Sequence, residues 1–573
     1  MPDQSQTSPS AFVCEGGLIK SRSTFIMQPG QALELLNFEP DIEGGYRRIN
    51  GFRKHCNHIV PQTSSSSEKV LMVAFFNNNI VAARGEKIFS SASTELATAI
   101  TSSATMSGSG TITVDSTTGF SSSGTLQIDS EIFTYTGVTS TTFTGVTRAT
   151  SSTTAAAHVV DSAVSESWTE RDTGRTNAGK YTFERFNFDG NEKIIVTDGT
   201  NDPTVFNTSF SATDVTESTV EGAKFVTAFK SHMFYAGMSS TPQTLVFSQP
   251  FDEDAFNSGS GAGSIKVDDT IVGMKAFRGD LFVFCENRIF KLTGSSSSDF
   301  AITPVTRNIG CINGDTIQEF AGDLIFLGPD GLRTVAGTAR IGDVELGTIS
   351  ANVQSIFDEN LVDAALFESV VIPDKTQYRI FFAKDEQGED NTRGVICVMK
   401  GQNFEFAELR GIKPSATDTF VEAGNVLVLH GGYDGFIHRQ EKGNDFDGTK
   451  VSGRYRSPDL TFGDPGIRKH MQRVIVNYKP ESAINADMFV RYDYEDRNSS
   501  RPAAYPLDSE DVVAIYGTST YGTPTYGGAS QPLLRQSVEG SGFAVALRVN
   551  DNATTAPYSL KGFQLEYQLG ARR

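Results

Sequence analysis

KAFRGDLFVFCENRIFKL, residues 275–292, decides the fold class. It reads as a short apolar strand, a tight turn at Gly279, a strongly apolar strand, a second turn at Asn287, and a strand bearing the Ile289-Phe290 pair. The same unit is found as AFFNNNIVAARGEKIF around Asn78, RFNFDGNEKIIVTDGTNDPTVF around Gly190 and TAFKSHMFYAGMSSTPQTLVF around Ser231. Further copies are QEFAGDLIFLGPDGLRTV around Gly322, VVIPDKTQYRIFFAKDE around Lys375 and FVEAGNVLVLHGGYDGFIHR around Gly424. From Gly190 onward the turn anchors are separated by roughly 40 to 53 residues, the repeat length of propeller blades. A lone meander cannot bury both faces, so such units pack radially and close into a ring. The expectation is an all-β chain with a β-propeller of about six to eight blades. The competing reading is a run of unrelated hairpins in sandwiches.

Outward from the repeats, the first gap is too long, and removing about 100–165 restores the spacing. That stretch is rich in Ser, Thr and Gly, yet Thr111–Val114, Thr125–Ile128, Ile132–Tyr135 and Thr142–Val146 alternate as strands. It is expected to be an inserted small β-barrel or sandwich. Residues 1–67 are read as an N-terminal extension with first strands, 68–99 as the first blade and 166–450 as the remaining blades. From 451 to 573 the pattern changes to longer alternating strands, as in Arg473–Tyr478, Met488–Tyr494, Phe543–Arg548 and Leu560–Tyr567, which predicts a C-terminal β-sandwich. The best helical candidate is Ser350–Phe367.

The 573 residues are enough for roughly three to four domains. Lys plus Arg number 49 against 68 Asp plus Glu, a net charge of −19. That argues against a protein that grips phosphates, since counterion release needs surplus cations. No apolar run has the length of a membrane span, and MPDQSQTSPS lacks the basic and apolar regions of a secretion signal.

Chemistry-bearing motifs are sparse. Cys14, Cys56, Cys285, Cys311 and Cys397 are scattered and never form a CxxC pair, so reduced, buried thiols are expected. His55-Cys56-Asn57-His58 has half of a zinc set without a second ligand pair at suitable spacing. His158, His232, His430, His438 and His470 stand alone in sequence. Gly259, Gly261 and Gly263 imitate a phosphate loop, but no helix follows to offer its N-terminus. Asp252-Glu253-Asp254 lacks the spaced oxygen ligands of a calcium loop. No nucleophile elbow or H-E-x-x-H is present, and no carboxylate pair is nominated. The expectation is a protein without catalytic, cofactor or metal residues. Tyr516, Tyr521 and Tyr526, in a Tyr-Gly-Thr repeat, form an exposed loop that is either an interface or simply solvated.

Several segments resemble bacteriophage tail proteins. They are Pro29-Gly30-Gln31-Ala32 through Leu35-Leu36-Asn37-Phe38, and Gly44-Gly45-Tyr46-Arg47-Arg48-Ile49-Asn50-Gly51-Phe52 before the first blade. Cys311-Ile312-Asn313 through Phe326-Leu327-Gly328-Pro329-Asp330-Gly331-Leu332-Arg333 resembles their blade motif. Ile467-Arg468-Lys469-His470-Met471-Gln472-Arg473, with Leu565-Glu566-Tyr567, is similar to their C-terminal sandwich. The resemblance implies a tail nozzle of the tail tubular protein B type from a short-tailed phage. Such a virion protein, assembled in the bacterial cytoplasm, would form a hexameric ring on the tail adaptor protein, beside tail fibres. It would close the channel before infection and conduct the genome during ejection, touching passing DNA without binding it. The alternative is a phage adhesin or carbohydrate-binding propeller at the tail tip.

Overall fold

A computed structural model describes residues 7–572 apart from 63–68, 177–178, 189, 336–347, 383–391, 423–424, 482–483, 497, 500 and 508–532. Strands dominate. The repeated units fold as antiparallel sheets, and the reason is local. In four of them a Phe ends the first strand and the two turn residues both have positive φ. These turns are Asn77-Asn78 after Phe76, Lys230-Ser231 after Phe229, Arg278-Gly279 after Phe277 and Ala321-Gly322 after Phe320. Two such residues give a hairpin turn whose twist matches the right-handed twist of the strands.

Among the described residues, seven blades follow one another around a ring. Their innermost strands are Met72–Phe76, Thr182–Phe188, Phe225–Phe229, Ile271–Phe277, Gln318–Phe320, Glu368–Ile372 and Pro414–Glu422. Each packs near the next, the turn Gly314–Thr316 filling the step into the fifth and sixth blades, and the seventh packs back on the first. Five blades are sheets of their own, while the first and sixth are each continued into a larger sheet. Core residues lie between blades: Phe188, Ile195, Met233 and Tyr235 bridge the second and third, and Phe284, Ile289, Leu324 and Phe326 the fourth and fifth. Burying both faces of every sheet is what radial packing achieves.

The ring is sealed by a strand from far away in sequence. Phe52–Lys54 pairs antiparallel with Ile437–Gln440 as the outer strand of the seventh blade. The described part of residues 1–67, read from sequence as an extension with first strands, thus divides between two units. Thr7–Val13, Glu34–Leu36, Phe38–Pro40 and Tyr46–Arg48 join the C-terminal sandwich, whose long strands are Ile467–Pro480 and Tyr558–Arg572 in one sheet and Val451–Arg456, Ala486–Tyr492 and Val545–Ala553 in the other. Tyr455, Val474, Leu547 and Phe563 meet between its sheets.

The inserted segment is a small barrel on the outer side of the first blade. The strand Lys87–Glu95 enters it and Ala163–Glu166 leaves it. Ala97 N to Thr113 O and Asp115 N to Glu95 O join the two ends of its sheet around Ile112, Leu126, Phe133, Tyr135 and Phe143. Ser350–Phe367 contains only short helical turns, Ala351–Val353, Gln354–Asp358 and Leu361–Leu366.

Candidate functional site

The innermost strands all begin at one end of the hub, and there they leave a cavity of about 590 Å³. Every blade contributes to it, through Leu71, Thr182, Phe225, Ile271, Asp315, Glu368 and Ser415 in turn. Its polar centre is Lys180, whose Nζ lies 2.5 Å from Glu368 Oε1 and 3.0 Å from Asp315 Oδ2. Burial acts to lower the Lys180 pKa, but the two carboxylates outweigh it and hold the ammonium form. Burial, with Asp315 adding, pushes the Glu368 carboxyl up to about 7 against the pull of Lys180. A carboxyl titrating near neutrality beside a second carboxylate has the elements of an acid–base pair. Here the ammonium is engaged with both, so the trio holds the second, fifth and sixth blades together. The cavity lining mixes charged groups such as Lys180, Lys224 and Glu286 with apolar side chains such as Phe225 and Ile271.

A second recess of about 780 Å³ separates the inserted barrel from the seventh blade. Its charges are paired across the gap: Arg439 and Lys442 with Glu95, and Lys442 Nζ at 3.5 Å from Asp161 Oδ2.

Residues 44–52 form the joint between sandwich and propeller. Tyr46 Oη donates to Gly30 O at 2.6 Å and accepts from Gly17 N at 3.1 Å. Arg47 holds Glu481 through two nitrogens, at 2.6 and 2.9 Å, and reaches Glu39 and Asn50. Glu39 also meets Lys375 at 2.6 Å and Arg379 at 3.3 Å, on the sixth blade. Gly51 is fixed by space: a Cβ there would lie 1.8 Å from Asp445 O. Phe52 then opens the closing strand.

The other sequence candidates are placed as follows. Tyr516, Tyr521 and Tyr526 lie outside the described residues. His55 and Cys56 are buried side by side in the first and seventh blades, His55 Nε2 being 2.9 Å from Ser93 Oγ. Asn57 Nδ2 donates to Gln127 O and Ala163 O, tying the barrel down. No group of three or more His, Cys, Asp or Glu among the described residues is arranged to hold a metal. The side-chain hydrogen bond with Asp252, together with burial, raises the Asp254 pKa, and Glu253 pairs with Lys193 at a blade connection. Gly263–Lys266 is a strand, so the glycine run leads into a sheet edge. All five cysteines are free and buried.

Lys180, Asp315 and Glu368 were invisible in sequence because three blades bring them together. His430 and His438 stack across one hairpin, and their eight-residue spacing around the turn 432–436 was the available signal.

No protein-family model matches the chain, and no curated protein does. Among solved structures, BamB from Moraxella catarrhalis superposes with 11% identity and a TM-score of 0.31, over 67% of this chain and 97% of that one. A quinonprotein alcohol dehydrogenase-like protein from Bacteroides thetaiotaomicron gives 7% and 0.30, over 60% and 66%. Raptor from Chaetomium thermophilum gives 8% and 0.30, over 63% and 29%. The propeller described above rests on the sheet order and the ring of packed strands. No activity or partner is carried over from these structures.

Proposed function

We propose that this chain is a structural subunit of a short-tailed phage virion, one copy of a nozzle ring that continues the DNA channel of the tail. The observation that carries the reading is the joint. The segment 44–52, one of those that resemble tail proteins, ties the sandwich to the sixth blade through Arg47 and its partner Glu39 and then seals the propeller through Phe52. A subunit that transmits load between ring neighbours needs its domains rigidly coupled, and this joint supplies that coupling. The net charge of −19 suits a conduit, because an acidic wall repels phosphate and lets DNA slide. A ring requires heterologous, closing interfaces between copies.

Sizing and negative-stain imaging of the purified full chain test the reading. A six-membered ring with a pore supports it. A second reading, a carbohydrate-binding propeller, draws on the cavity at the hub mouth. A monomer or trimer that retains glycans would favour that one. In virions, Asp or Glu to Lys changes along the lumen should slow ejection, and unchanged ejection kinetics count against the conduit.

A further inference from the structure

Four of the seven histidines stand where the propeller is sealed. His55 and His58 follow the closing strand Phe52–Lys54, while His430 and His438 are cross-strand partners in the hairpin that receives it. The rings of His430 and His438 stack at 4.9 Å with 21° between their planes. Phe52 lies against both, at 5.1 and 5.0 Å, and Phe446 stacks on Phe52 at 5.3 Å. His430 is 2% exposed and His438 4%, and the Nδ1 atom of each has no hydrogen-bond partner among the described residues.

Imidazoles in this setting fit only without charge. A proton on either would place a cation in an apolar stack, beside a ring that would resist the next. The surrounding charges do not offset this. Lys54, the cross-strand neighbour of His438, opposes its protonation, whereas Asp447 and Asp434, whose Oδ2 is 3.6 Å from His438 Nε2, favour it. Arg53, also on the closing strand, is paired with Asp445. His430 faces His438. His55 faces Arg439 and Lys442, partly balanced by Glu95. Burial dominates in each case, pushing His55 down to about 4 and lowering His430 and His438 from the ordinary histidine range.

The closing strand itself is short. It has three residues, paired as Phe52 with Gln440, Arg53 with Arg439 and Lys54 with His438. Pairing of that length depends on the packing beneath it. We propose that the histidine cluster makes the seal an acid-released catch: neutral, it packs Phe52 and holds the closing strand, and protonated, it lets that strand leave the seventh blade while the other blades stay folded. The opened form binds more protons than the sealed one. The seal is therefore fully stable above about pH 6.5 and weakens as pH falls below it, ahead of the general titration of carboxylates.

Amide hydrogen exchange of the full chain at pH 7.5 and 4.8, corrected for intrinsic rates, tests the catch. Residues 52–56 and 436–440 should lose at least about tenfold in protection at the lower pH, while Ile271–Phe277 and Asp280–Cys285 keep theirs. The His430→Phe/His438→Phe variant retains stacked rings without a titrating group and should stay sealed at pH 4.8. Equal opening in that variant, or no opening in the unaltered protein, overturns the proposal. If the variant folds poorly, exchange at the imidazole C2 position of the unaltered protein decides. Titration of His430 and His438 near the ordinary 6.5 overturns the catch, and titration well below it supports the catch.

Discussion

Arg48 Nε and Asp551 Oδ2 face each other at 3.5 Å with both side chains fully buried, although one precedes the propeller in sequence and the other follows it. Arg48 also donates to the carbonyls of Ala553, Thr555 and Asn444. Burial raises the Asp551 pKa despite the guanidinium beside it. The pair fastens the chain's early strands to its last sheet, at the point from which residues 49–52 leave to close the ring.

Removing one partner should therefore cost far more than replacing both. Arg48→Met leaves Asp551 buried and uncompensated, and is expected to destabilise by about 3–5 kcal/mol. Arg48→Met/Asp551→Leu should recover a large part of that. Urea unfolding of the two variants and the parent checks this. A double variant as unstable as the single would show that the carbonyl contacts, rather than the ion pair, hold the joint.

The propeller was legible because its units repeat. A Phe, two turn residues and an apolar strand are local features, and Phe76, Phe229, Phe277 and Phe320 each mark a turn that can be found by eye. The inserted barrel was legible for a similar reason, since Thr125–Ile128 and Ile132–Tyr135 alternate across a short turn. What escaped the reading was non-local. Nothing around Phe52 announces that it pairs with Gln440, and the strand Thr7–Val13 gives no sign that it lies along Val13↔Gly562 at the other end of the chain. Lys180 sits in an unremarkable stretch, and its partners Asp315 and Glu368 become neighbours only when the ring closes.

That trio makes a second expectation. Lys180→Met removes the ammonium from between Glu368 and Asp315, leaving the buried Glu368 and the half-buried Asp315 without the cation they share. The loss should be about 3 kcal/mol at pH 8 and smaller at pH 5, where Glu368 is protonated. The sign follows from the raised pKa of Glu368, about 7 against 4.5. The folded chain binds the extra proton, so ionising this group costs stability as pH rises through that interval. Lys180→Met/Glu368→Gln should flatten the difference between the two pH values. Thermal melts at both pH values measure it.

His158 has the same direction of dependence as Glu368, and the reverse of that of His430 and His438 at the seal. Its Nδ1 is 2.7 Å from Asp129 Oδ2 and its Nε2 is 2.9 Å from Glu131 Oε2, so both ring nitrogens meet carboxylates. Burial works to lower its pKa, but Asp129 and Glu131 outweigh it and the value is raised. The bonds of this imidazolium contribute fully below pH 6.5 and are lost as pH rises through the raised pKa. Protection of the Ile100–His158 bridge should fall on the alkaline side, the loss being about 1.5–3 kcal/mol. In His158→Gln that alkaline change should vanish, while its persistence would assign it to another group.

The thiols supply a simpler check. Burial pushes Cys14, Cys56, Cys285 and Cys311 up to about 12 and raises Cys397 as well. The thiolate is the reactive form, so none of the five should react quickly with a disulfide reagent at pH 8 in the folded protein. In denaturant all five should react. A fast-reacting thiol in the folded state would locate a blade that opens on its own.

The turns offer the last test, because the chain does not use its best residue at each of them. Ser231, with φ of 63°, occupies the second turn position that Gly279 and Gly322 fill in later blades. An L-residue in this conformation costs about 1–2 kcal/mol, and glycine's greater freedom when unfolded returns roughly 0.5–1 of that. Ser231→Gly should therefore stabilise by up to about 1 kcal/mol without altering the Phe229↔His232 pairing. Unfolding midpoints at constant m-value give the sign. A loss of stability would mean that the Ser231 side chain contributes more than the turn geometry costs, and that the third blade's turn is held by contacts its counterparts lack.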